Sequence, residues 1–235
     1  MRLAAYQCRA LTGDIAANLH RLDRIACAAS AAEADALVVP ELYLTGYCLG
    51  DRMSEFAMSP DAAALQEVSA IARRHAVALV VGYPELRAGS VYNTAALWDR
   101  SGALLSRYRK INLFGDEEKR LFRPGDATET TAIAGMSVGM LICYDVECPA
   151  AARSLADDGV QVILAPTANM LPYRAAAITA PRARALESGA ALVYANYTGD
   201  EGPLTYTGLS VIVGADGEDR ARAGDQGEAL LIAEV

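Results

Sequence analysis

The sequence predicts an α/β fold in which mixed β-sheets are covered by helices. Three observations point there. Short apolar runs alternate with amphipathic helical stretches, which sets neighbouring strands parallel. Other strands follow one another across tight turns, which sets those pairs antiparallel. No repeat, low-complexity linker or long charge block interrupts the 235 residues, a length that suits one sizeable domain, or at most two small ones, with a substantial core.

The elements follow in chain order. Residues 2–8 read as a short strand. From Asp14 to about Ala34, Ile15, Leu19, Leu22, Ile25 and Ala29 recur at steps of three and four. That is one apolar helix face, with Asp14 as its N-cap. Ala36–Val39 is an apolar run closed by Pro40, as a buried strand would be. A helix near Asp61–His75 precedes strands near Ala78–Tyr83, Val91–Trp98 and Leu104–Arg109, the last two joined at Ser101-Gly102. Ile111–Ala127 reads as loop, punctuated by Gly115, Pro124 and Gly125. Strands resume near Thr128–Ala134 and Ser137–Ile142, followed by a helix near Pro149–Asp158 and a strand at Val160–Leu164. A loop over Pro166–Tyr173, a helix near Ala175–Ser188 and a strand at Leu192–Asn196 come next. Strands near Leu209–Val213 and Ala229–Ala233 end the chain, with a hairpin turn at Ala215-Asp216-Gly217.

Composition excludes several functions. The net charge of −8 argues against a nucleic-acid partner, which needs a basic face. His20 and His75 lie far apart and no C-x-x-C pair occurs, so no metal site is expected. No apolar run reaches the ~18 residues of a membrane span. The start, Met1-Arg2-Leu3-Ala4-Ala5, enters a strand pattern directly, so no signal peptide is expected. Five cysteines without a spacing framework suit free thiols in a reducing cytoplasm. All but Lys110 and Lys119 of the 21 basic residues are arginine.

Chemistry in α/β folds collects where strands end. Three strand ends carry reactive side chains: Val38-Val39-Pro40-Glu41, Tyr108-Arg109-Lys110, and Leu141-Ile142-Cys143-Tyr144-Asp145. Taken singly, each has a plainer reading: a solvated acid, a surface lysine, a small core cysteine. Together they supply what nucleophilic catalysis needs, a thiol, a base and a positive group. A free thiol titrates near ~8.5, so a base must take its proton at neutral pH. Neither histidine stands in a loop motif that would make it that base.

Three motifs resemble the signatures of the nitrilase superfamily, the carbon–nitrogen hydrolases. They are Pro40-Glu41-Leu42 running to Thr45-Gly46-Tyr47, Tyr108-Arg109-Lys110 with Leu113-Phe114-Gly115, and Leu141-Ile142-Cys143-Tyr144-Asp145 with Glu147. Their order is the family's, Glu then Lys then Cys, spaced by 69 residues (41 to 110) and 33 residues (110 to 143). Gly82-Tyr83-Pro84-Glu85, Tyr92-Asn93-Thr94-Ala95, Pro166-Thr167-Ala168-Asn169 and Arg182-Ala183-Arg184-Ala185 with Glu187 extend the likeness over nearly the whole chain.

The resemblance implies a four-layer α-β-β-α sandwich with two mixed sheets, and residues 1–235 as a single carbon–nitrogen hydrolase domain. It assigns Glu41 as general base, Lys110 as oxyanion stabiliser and Cys143 as nucleophile, with no cofactor. A second glutamate is implied shortly after the lysine. Glu118 is preferred and Glu117 is the fallback, because relatives often read Phe-Gly-Asp-x-Glu-Arg there. Tyr47, Tyr144, Asn169 and Tyr173 are the expected pocket residues. Arg174 is expected to be structural rather than a ligand for a substrate carboxylate. Two departures stand out: Asn112 where many relatives carry His, and Cys148 where many carry Phe. Many relatives also continue into a tail that helps assemble dimers, whereas this sequence stops at Val235, so tail-mediated assembly is not assumed.

The implied activity is hydrolysis of a small-molecule carboxamide to acid and ammonia, with Tyr194-Ala195-Asn196-Tyr197 and the Phe-Gly-Asp loop favouring the amidase branch. Nitrile hydrolysis, N-carbamoyl amino acid hydrolysis and acyl transfer are the alternatives on the same site. A non-catalytic family member is the alternative from another class. A cytoplasmic homodimer or higher homo-oligomer is the implied setting.

Overall fold

The computed structural model describes residues 1–235 and arranges them around two six-stranded sheets. In the first, β1 (Arg2–Gln7), β2 (Ala36–Val38) and β3 (Ala78–Arg87) are parallel neighbours. The hairpin partners β4 (Ser90–Trp98) and β5 (Leu104–Arg109) extend it antiparallel on one side. The last strand, β14 (Ala229–Glu234), pairs antiparallel with β1 on the other. The second sheet repeats this logic. β7 (Met136–Met140), β8 (Val162–Pro166) and β9 (Ala191–Ala195) run parallel in its centre. It is flanked by β6 (Thr130–Ile133) on one edge, and by β12 (Val211–Val213) with β13 (Asp219–Arg222) on the other.

Period-two alternation assigns the faces. Leu3, Ala5, Val38, Val80 and Leu97 point from the first sheet into a core shared with Val138, Val162, Val193 and Val211 of the second. Their neighbours Ala4, Tyr6, Leu37, Val39, Leu79 and Trp98 point the other way. They meet α1 (Ile15–Ala31) and α2 (Ala63–His75) through Leu22, Ala26, Ala29, Val68 and Ile71. Helices α4 (Pro149–Asp157) and α5 (Arg174–Ser188) cover the second sheet through Leu155, Ala177 and Ala185. The result is the four-layer α-β-β-α sandwich. Asp14 caps α1 as expected, accepting from the Ala17 N–H at 2.9 Å.

Several local expectations are corrected. Ile111–Ala127 is not all loop, because Gly115–Leu121 forms the short helix α3. With only seven residues it has no room for a repeating apolar stripe, and its helical signal is charge. Asp116, Glu117 and Glu118 sit in the first turn and Lys119 and Arg120 in the last, which suits the helix dipole. Thr198–Glu201 (β10) and Leu204–Thr207 (β11) make a two-stranded hairpin that polar composition hid. The 215–217 turn does join two strands, but the second, β13, is Asp219–Arg222 with no apolar alternation. The strand expected to reach Ile142 ends at Met140. No helix is long and apolar enough to cross a membrane.

Candidate active site

The site is built at neighbouring strand ends. After β2, Val39-Pro40 leads to Glu41, whose side chain is completely buried. The turn that follows passes against β3 at Gly82. A Cβ on Gly82 would lie 2.5 Å from the Leu42 nitrogen, so only glycine lets the chain through. Leu42 itself has φ +49°, a conformation that L residues rarely adopt. At the end of β5, the Lys110 backbone is pinned from both sides. Its N–H donates to the Asn93 carbonyl at 2.9 Å, and its carbonyl accepts from Gly125 N–H at 2.9 Å.

The Lys110 ammonium donates to Glu41 Oε1 at 2.8 Å and to Glu118 Oε1 at 2.7 Å. All three side chains are essentially without solvent exposure. Such burial of charge survives only with paired, hydrogen-bonded partners. Asn93 Nδ2 donates to Glu41 Oε1 at 2.7 Å. Glu118 is held in turn: Oε1 accepts from Tyr47 OH, and Oε2 accepts from the Phe114 N–H at 2.7 Å. Glu118, and not the exposed Glu117, therefore touches Lys110. One carboxylate oxygen in this cluster, Glu41 Oε2, is buried with no hydrogen-bond partner. A buried acceptor left open in this way calls for an explanation.

Cys143 begins a 3₁₀ turn (Cys143–Glu147) after β7 and has φ +48°. Asp145 locks that turn. Its carboxylate accepts from Ile142 N–H at 3.1 Å, from both the backbone and side-chain N–H groups of Asn112 at 2.8 Å, and from Tyr108 OH at 2.8 Å. Asn112, the departure from histidine, thus ties the lysine segment to the cysteine turn. The other departure, Cys148, follows the turn and touches no reacting group's hydrogen bonds.

Burial dominates the electrostatics. It pushes the Glu41 carboxyl up to about 7 with help from Glu118, while Lys110 pulls it down. Burial, reinforced by Glu41, also holds the Cys143 thiol well above its ordinary range against the pull of Lys110. Lys110 stays protonated, because Glu41 and Glu118 outweigh the burial that would discharge it. The resting pair is therefore a neutral thiol beside a carboxylate poised near neutrality. The Ala168 backbone N–H favours the thiolate, but less than burial and Glu41 oppose it.

A narrow cleft opens onto Cys143. Tyr144, Asn169 and Tyr173 line it, as expected from the sequence, together with Phe114, Glu147, Ala168 and Met170. Its free space is about 10 Å³, roughly the room of one water. The Asn169 side chain is already engaged, accepting from Thr207 Oγ1 at 2.7 Å. Tyr47 is not part of the cleft wall but lies behind it, on Glu118. Arg174 pairs with Asp225 at 3.1 Å, away from the cleft. Phe114 and Glu147 stood inside quoted motifs, but nothing in their spacing showed that they face the cysteine.

This four-layer arrangement has counterparts in known proteins. The carbon–nitrogen hydrolase family model matches residues 2–235, and the chain belongs to that family, in the amidase-like branch of the nitrilase superfamily. It is a carbon–nitrogen hydrolase. Among its relatives is a protein of Pseudomonas protegens described as a hydrolase in the pqqF 5′ region. The two are 43% identical over 235 residues, covering 99% of this chain and 81% of the relative. An (R)-stereoselective amidase of Pseudomonas sp. is 36% identical over 226 residues, covering 95% and 81%. The amidase of Nesterenkonia sp. AN1 superposes with a TM-score of 0.93 at 33% identity, covering all of this chain and 93% of that one. In that structure the active-site cysteine of an enzyme variant carries the product of Michael addition of acrylamide.

Proposed function

We propose that the protein hydrolyses a small carboxamide to a carboxylic acid and ammonia through a thioester on Cys143, with residues 1–235 acting as one catalytic domain. The observation that carries this reading is the open Glu41 Oε2, buried beside a neutral thiol while the other oxygen is fixed by Lys110 and Asn93. It is an acceptor awaiting a proton.

Cys143 Sγ attacks the amide carbon as Glu41 takes the thiol proton. Lys110 has three N–H donors and spends two on carboxylates. The third, with the Tyr144 backbone N–H, stabilises the tetrahedral oxyanion. Glu41 returns the proton to the amide nitrogen, the C–N bond breaks and ammonia leaves. Water, deprotonated by Glu41, then attacks the thioester and the returning proton regenerates the thiol. Glu118 positions Lys110, and Tyr47 positions Glu118. Tyr144 and Tyr173 shape the acyl pocket, with Asn169 holding the loop between them. The amidases of Pseudomonas and Nesterenkonia support the choice of amide. A complex of a variant of the latter enzyme with butyramide supports a small acyl group.

The test is a panel of amides, nitriles and N-carbamoyl amino acids assayed for ammonia and acid release. Amide turnover with inert nitriles is expected, and the reverse would overturn the choice. A cytoplasmic homodimer or higher homo-oligomer completes the proposal. Light scattering on the purified protein and fractionation of cells test those two parts.

A further inference from the structure

The cleft wall contains a carboxylate with no assigned work. Glu147 is half-buried at the end of the cysteine turn and lines the cleft with Cys143. It makes no ion pair and accepts no side-chain hydrogen bond. The cation that acts on it, Lys110, is committed to Glu41 and Glu118. In a chain with 19 arginines among its 21 basic residues (all but Lys110 and Lys119), a half-buried acid without a partner is out of keeping.

Around it stand aromatic rings. Phe114 packs edge-on against Tyr144 and Tyr173, each with ring centroids 5.3 Å apart, at 63° and 83°. All three line the same cleft, and Tyr173 is 45% exposed at its mouth. Aromatic rings and one carboxylate lining a common cleft are the kind of chemistry that receives an ammonium ion. Burial raises the Glu147 carboxyl above its ordinary value, and a bound cation would offset that cost.

We propose that this cleft selects carboxamides that also bear an ammonium group, with Glu147 as the residue that recognises it. The inference rests on the amidase reading above and sharpens its substrate class. The cleft is tight, so the ammonium belongs on a short acyl chain, one or two carbons from the scissile carbonyl. A carboxylate in its place would face Glu147 directly and be repelled. The recognition acts through substrate charge, which separates it from mere shaping of the pocket.

Matched amides test this on the whole enzyme. Alaninamide and isobutyramide share one shape and differ by an ammonium for a methyl, while malonamate supplies an anion. At pH 7, kcat/KM for alaninamide should exceed that for isobutyramide by about tenfold or more, and malonamate should fall below both. Glu147→Gln should shrink the alaninamide-to-isobutyramide ratio about tenfold, and Glu147→Asp should recover part of it. An unchanged ratio in Glu147→Gln, or a preference for malonamate, overturns the inference. Should Glu147→Gln fail to fold, the wild-type protein still decides. Ethylammonium should compete with isobutyramide and acetate should not, and the opposite pattern refutes the proposal. Hydrolysis of isobutyramide without preference for alaninamide defeats this inference alone. Failure to hydrolyse all three amides defeats the small-carboxamide reading as well.

Discussion

Replacing Glu118 by Gln removes one negative charge from the buried cluster while keeping an oxygen to accept from Lys110. Lys110 Nζ lies 2.7 Å from Glu118 Oε1 and 2.8 Å from Glu41 Oε1. The two carboxylate oxygens are thus within about 5.5 Å of each other, and at an effective dielectric of about 20 their repulsion is about 3 kcal/mol. At about 1.4 kcal/mol per pH unit, that is a shift of about two units. The Glu41 carboxyl stands at about 7, and Glu118 is one of the groups that raise it. In the proposed reaction its ionised form is the base, so kcat/KM should rise with pH through about 7 in the wild type. In Glu118→Gln the anion forms more easily, and the midpoint should fall toward about 5. The assay is ammonia release from a small amide between pH 4.5 and 9, fitted for the acid limb of kcat/KM, which reports the free enzyme. The midpoint is read, not the amplitude, so a general loss of activity does not confuse the result. A midpoint that stays near 7 or rises would refute the electrostatic account of the cluster.

Other outcomes follow from the same geometry. Lys110→Arg should lower kcat at least a hundredfold, since a guanidinium carries its donors in one plane and cannot copy the tetrahedral ammonium that bridges two carboxylates and still faces the oxyanion; near-normal turnover would contradict this. Asn112→Ala takes away the side-chain donor to Asp145, while the backbone N–H bond remains, and should cost about 1–3 kcal/mol, measured by urea denaturation. Gly82→Ala pushes a methyl against the Leu42 nitrogen and should destabilise by about 1–3 kcal/mol, a fall in Tm of about 2–4 °C per kcal/mol. An unaltered Tm would show that the turn after β2 can move aside.

Two of the three proposed reacting groups, Glu41 and Cys143, were legible because each follows an apolar run, while Lys110 follows the mixed strand Leu104–Arg109, readable from its turn at Ser101-Gly102. Glu41, Lys110 and Cys143 could be placed at strand ends without knowing which strands were neighbours. That they converge needed the sheet order, which local pattern does not contain. Helix α3 was hidden because it is too short for an apolar face, yet it delivers Glu118 to the lysine. The β10–β11 hairpin was hidden because polar residues fill it, yet its Thr207 holds Asn169 in place. Tyr47 lay in the right motif, but only the fold shows that it faces Glu118 and not the cleft. Glu147 is the converse case: its letter was visible in the cysteine motif, and its lack of a partner was not.

In the proposed reaction Cys143 carries the acyl group between the two half-reactions. Mixing enzyme with a small amide, quenching in acid within the first turnovers and mapping the acyl mass by peptide mass spectrometry would locate it. One acyl group is expected on the peptide containing Cys143, with Cys8, Cys27, Cys48 and Cys148 unmodified and no adduct or turnover in Cys143→Ala. Amide hydrolysis persisting in Cys143→Ala, or an acyl group residing on another residue, would contradict it.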